Sequence, residues 1–177
     1  RSHRGQTKPW VRGTGAANAV RTQLGLGAGP VSNDRLADLL GVKLPVVSAS
    51  LAADCVAGGF RARDMLGRTH VAIHSQRPTN QRFAFARLIG LAAHLSAQEQ
   101  VLPLSDATTS LQKYGRAFGQ EFLIPWVELD AATDEDGTGA DAIGAIADRY
   151  GVSEMLVTTT LVNRGKLDRS QLARFGA

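Results

Sequence analysis

FAFARLIGLAAHL, running from Phe83 to Leu95, is apolar on nearly every side of a helix, and a helix of that kind is buried within a fold. With its lead-in Gln81-Arg82 it reads as the central helix, spanning Gln81 to Ser96, after a loop from Ser75 to Asn80. Between Phe83 and Leu95 only Arg87 and His94 carry polar side chains. Seven residues return a helix to within about 20° of its start, so both project from one stripe, with Leu91 between them. Arginine keeps its proton and leucine has no donor atom. The turn from Arg87 to Leu91 therefore offers no side-chain lone pair to a metal.

Working outward, Ala17, Val20 and Leu24 are spaced for an amphipathic helix over Ala16 to Leu26 that ends at Gly25 or Gly27. Pro30 to Asp34 supplies a turn, with Asp34 or Ser32 as capping oxygen for a short helix from Arg35 to Leu40 that Gly41 closes. Extended runs follow at Leu44 to Ala49, Gly59 to Ala62 and Thr69 to His74, the second being the poorest in β-branched residues. Asp64 to Gly67 reads as the turn between the last two. Gln112 to Leu123 is a further helix stopped by Pro125, and Ala131 to Gly139 reads as an acidic loop and internal boundary. Ala140 to Tyr150 and Ser153 to Val162 make two helices joined by Gly151-Val152. The fold class is α+β, with helices around a small, mostly antiparallel sheet. The division is a basic flexible arm (1–12), a core (13–137) and a C-terminal helical element packed on it (138–177).

The 177 residues suffice for a sizeable core, and no apolar run reaches the length of a membrane-spanning helix. One cysteine, Cys55, excludes a disulfide framework and fits a reducing cytosol, so a cytoplasmic protein is expected. With no activating base nearby in the sequence, Cys55 reads as a structural thiol. The net charge is +4, and Arg1, Arg4, Lys8 and Arg12 account for it, leaving 16 basic against 16 acidic residues. Such an arm is a solvated linker able to make weak, non-specific nucleic-acid contact. The chain opens on Arg1, which reads as a piece of a longer protein.

Several motifs, in order, resemble the ImmA/IrrE family of bacterial and phage metallopeptidase-like proteins that act on or with helix-turn-helix repressors. They are Pro9-Trp10-Val11-Arg12-Gly13, Asp34 to Val42, Thr69 to His74, Gln81-Arg82-Phe83, Ala117 to Pro125, and Tyr150 to Ser153 followed by Val162 to Gly165. The resemblance implies a zincin-like core with a C-terminal helix-turn-helix-like pair. It also implies a zinc-binding H-E-x-x-H on the central helix, where two histidines one turn apart share the metal and the glutamate is general base. This chain has Arg87, Leu88, Ile89, Gly90 and Leu91 there, and no acid at or beside Tyr114, where the family's third ligand falls. The pattern is that of a degenerate peptidase with no cofactor. What it implies is a catalytically inactive domain for protein binding or signal sensing in a transcription-regulatory system. The implied partner is a helix-turn-helix repressor or other regulatory protein, either separate or in cis before Arg1, and no membrane.

On that resemblance the candidate recognition cleft is lined by Arg87, Leu91, His94, Tyr114 and Glu121. Two readings of Arg87 stand side by side. In one it snorkels to solvent while His94 caps the helix end. In the other it replaces the lost cation and pairs with a carboxylate, Glu121 being the candidate, because an unpaired buried charge is costly. His70 and His74 lie roughly 13 Å apart along an extended strand, too far to share one zinc, whereas His94 with His74 and a carboxylate is conceivable. That last set would make the chain an active metallopeptidase with a relocated metal site. A third alternative is a DNA-binding regulator using the basic arm and the C-terminal pair, although Glu154 to Val162 has no Lys or Arg for phosphates.

Overall fold

The computed structural model describes residues 7–42, 58–95 and 101–175. The run read as extended over Leu44 to Ala49, and Cys55, lie outside the described residues. Helix α1 spans Pro9–Gln23, so Trp10 to Arg12 of the expected arm are helical. Pro9 stands at the first helical position, where its missing N–H costs nothing. Helix α2 spans Asn33–Leu40, and Ser32 is the cap, its Oγ accepting the Arg35 N–H at 3.2 Å. Gly41 ends α2 in the left-handed region at φ 71°.

Strands β1 (Gly59–Arg63), β2 (Thr69–Ile73) and β3 (Val101–Leu104) form an antiparallel sheet in the order β2-β1-β3. The run poorest in strand-forming residues is thus the central strand. Its partners on both sides, not its own propensity, make it one. Gly59 lies opposite Ile73 and Leu104, and Arg61 opposite Val71 and Leu102. This register puts Ile73, Leu102 and Leu104 on one face, and all three are buried in the core. β3 carries no alternation signal beyond four residues and contains Pro103, which an edge strand tolerates.

Helix α3 (Pro78–His94) starts inside the expected loop, again on a proline, and every residue from Ala84 to Leu91 is buried. Helix α4 (Ser110–Leu123), capped by Thr109, packs against both α1 and α3. Helix α5 (Trp126–Asp136) takes up Ala131 to Asp136 of the acidic loop expected over 131–139, and only Gly137 to Gly139 link it to the next helix. Its buried Leu129 and Thr133 lie about one turn apart, Trp126 and Ala132 pack partly buried against the same core, and the Thr133 hydroxyl donates to the Leu129 carbonyl at 3.0 Å. Helices α6 (Ala140–Tyr150) and α7 (Glu154–Asn163) meet at Gly151, φ 62°, with Ser153 Oγ capping α7. A 3-10 helix, Arg169–Phe175, packs on α7. Leu36, Leu88, Phe118, Leu129, Ile143 and Leu161 belong to one continuous core, so the C-terminal helices share it with α3 and α4.

Candidate functional site: a buried arginine between two helices

Glycines let α3 and α4 approach closely. A Cβ on Gly90 would sit 2.4 Å from the Phe118 ring, and one on Gly115 would sit 3.2 Å from Leu91. The stripe of Arg87, Leu91 and His94 therefore lies directly against α4. Leu91 is fully buried, and Tyr114 and Glu121 are buried as well.

Arg87 is 8% exposed. Its Nη2 donates to Gln112 Oε1 at 2.6 Å and to the Ser105 carbonyl at 2.8 Å. Gln112 is locked in turn, donating to the Pro103 carbonyl at 2.9 Å. Neither expected arrangement of Arg87 occurs: it does not reach solvent, and it does not pair with Glu121. Glu121 instead accepts the Trp126 N–H at 3.2 Å and pairs with Arg164 at 3.5 Å, whose guanidinium lies 4.9 Å over the Trp126 ring. The physical reason is reach along the helix. Glu121 sits two and a half turns beyond Gln112 on α4; the Arg87 stem passes Gly119, where an added Cβ would lie 3.1 Å from Arg87 Cγ, and its guanidinium turns from there toward Gln112 and Ser105. Burial, followed by the neighbouring Arg116, pulls Arg87 down to about 10, while Asp106 opposes them. The group stays cationic at neutral pH, held by neutral oxygens. Gln112 is a member of this site that the sequence does not announce. An amide beside a helix cap carries no sequence signal for this role.

His94 is exposed at the end of α3, its ring stacked on Tyr114 at 4.3 Å and 30° rather than laid on the last carbonyls. Partial burial and the Arg12 cation both lower its pKa. The five expected cleft residues are thus split, with Arg87, Leu91, His94 and Tyr114 at the α3–α4 contact and Glu121 at the α4–α5 corner. His70 Nε2 lies 3.0 Å from Asp64 Oδ2. Among the described residues no three His, Cys, Asp or Glu side chains gather to hold a metal, so His94, His74 and a carboxylate are not brought together.

Two more arginines follow the same rule as Arg87. Arg21, 4% exposed, donates to the carbonyls of Gly27, Gly29 and Phe122. Arg82 donates to the carbonyls of Val31 and Tyr150 and to Asn33 Oδ1. Phe122 and Tyr150 lie at helix C-termini, whose free carbonyls favour a cation. On α7, Leu156, Val157, Thr158, Thr160 and Leu161 face inward, leaving Glu154, Met155 and Asn163 exposed. Set against known proteins, the chain matches no family model and no curated protein.

Proposed function

We propose that this chain is a catalytically inactive, ImmA/IrrE-like domain that recognises a regulatory protein, such as a helix-turn-helix repressor, within a bacterial or phage transcription system. One observation carries the reading. The helix stripe that would hold a divalent cation in that family bears a guanidinium and an isobutyl group. The guanidinium is already bound to Gln112 and Ser105. The Arg87 side chain fills that point without offering a lone pair to a metal, so the helices stay packed while the hydrolytic chemistry is lost. His94 alone of the five candidate residues is exposed, so a partner meets this region at the His94–Tyr114 edge.

The test combines metal content with binding. Purified chain should hold far less than one zinc per molecule and should leave a helix-turn-helix repressor intact. It should bind that repressor equally well with and without chelator. Stoichiometric zinc, or repressor cleavage that chelator abolishes, would overturn the proposal. His94→Ala should weaken the complex by about tenfold, equivalent to roughly 1.4 kcal/mol of binding free energy.

A further inference from the structure

The β1–β2 hairpin ends in a pair of apolar side chains that stand out into solvent. Met65 is 103% and Leu66 77% exposed, at a turn where polar residues normally stand. The turn itself is well held: Asp64 Oδ1 accepts the N–H groups of Leu66 and Arg68, each at 2.9 Å. Asp64 Oδ2 lies 2.8 Å from Arg68 Nε and 3.0 Å from His70 Nε2. Asp64 is also the one acid between Gly58 and Leu95, a stretch with six arginines and no lysine. Its carboxylate is satisfied within the turn. Beside the tip Arg63 is exposed, Arg68 is exposed and meets Asp64 through Nε, and Arg77 stands exposed past the far end of β2.

We propose that this hairpin is a duplex-DNA contact, its arginines on phosphates and Met65-Leu66 a wedge into the groove. The inference is independent of the peptidase-like reading. Guanidinium forks match phosphate oxygens in a way ammonium groups do not. The two-stranded tip from Arg63 to Thr69, beyond the last β1–β3 pair at Ala62 and Val101, is narrow enough for a DNA groove, and Met and Leu are side chains that enter between base steps. The spread of cations favours DNA over an anionic membrane. Arg77 lies past the far end of β2, whose five residues span about 17 Å, so a plane touching the tip leaves it out, whereas a groove can run on along the strand.

The experiment is fluorescence anisotropy of a labelled mixed-sequence duplex, titrated with the full chain across a series of NaCl concentrations. Two double variants accompany it, R63Q/R68Q and M65S/L66S. All four side chains are exposed, and Asp64 keeps its backbone bonds in both; circular dichroism checks the fold. R63Q/R68Q should lower affinity about tenfold or more and flatten the log–log salt slope by about 0.9 for each phosphate no longer neutralised. M65S/L66S should lower affinity and leave the slope unchanged. The proposal is overturned if the duplex is not bound at low salt, or if both variants bind as tightly as the parent chain. It is equally overturned if affinity resides wholly in residues 1–8, or if the variants change binding to phosphatidylglycerol vesicles and not to DNA.

Discussion

At the scale of single residues, Arg87 separates packing from charge. Truncation by Arg87→Ala should cost about 2–4 kcal/mol, since it opens a void between α3 and α4. Arg87→Met, which keeps the stem, should cost less than about 1 kcal/mol, because replacing a buried cation by an apolar side chain of similar length relieves its desolvation. The acceptors are not stranded either: Gln112 Oε1 keeps the Ser105 N–H at 3.4 Å, and the Ser105 carbonyl keeps Arg116 at 3.5 Å. Chemical denaturation of both variants measures the contrast, and equal losses would show that the charge itself is needed. His94 supplies a pH dependence. Its folded pKa lies below that of an unfolded histidine, first through desolvation and then through Arg12. The unfolded chain therefore binds more protons as pH falls past about 6.5, and this group's contribution to stability is lost on acidification. Ring-proton NMR should place the His94 midpoint below 6.5, and Arg12→Gln should move it upward; an unmoved midpoint would remove Arg12 as a cause.

At the scale of elements, closeness of helices decides which glycines can change. Gly13 and Gly15 sit two positions apart on α1 and answer oppositely. A Cβ on Gly13 would lie 2.5 Å from the Tyr114 carbonyl oxygen of α4, whereas one on Gly15 meets nothing within 4 Å. Gly15→Ala should stabilise by up to about 1 kcal/mol through helix propensity alone. Gly13→Ala should lose about 1–3 kcal/mol, because the backbone it strikes cannot yield. Gly90→Ala belongs with Gly13, since the fully buried Phe118 ring behind it has nowhere to turn. Thermal melts of the three alanine variants check the order, and a stabilised Gly90→Ala would contradict the α3–α4 packing.

At the scale of the whole molecule, Arg82 and Arg21 tie elements far apart in sequence. Arg82, from α3, joins Val31 and Asn33 at the start of α2 to Tyr150 at the end of α6. Arg82→Ala should therefore lower protection from hydrogen exchange at both ends together, with an overall loss of about 2–4 kcal/mol. Because Ile143, Tyr150 and Leu161 share one core with Phe118 and Phe122, unfolding should be a single transition. Truncation after Gly137 should abolish it. A truncated chain that melts cooperatively would mean the C-terminal helices fold apart.

What the sequence determined by itself was local. The near-continuous apolar run made α3 the buried helix, and Ser32, Gly41, Gly151 and Ser153 set the ends of α2, α6 and α7 by capping chemistry that acts within a turn or two. Tertiary structure decided the rest. β3 has four residues and exists because β1 lies beside it, and α5 is a helix because Leu129 and Thr133 found the core. The same holds for the partners of the buried cations. Glu121 was the obvious acid for Arg87 on charge alone, yet Arg87 took Gln112 and a carbonyl 18 residues away. Hydrogen bonds between elements depend on which side chains the packing brings within about 3 Å, and no periodicity along a chain encodes that distance.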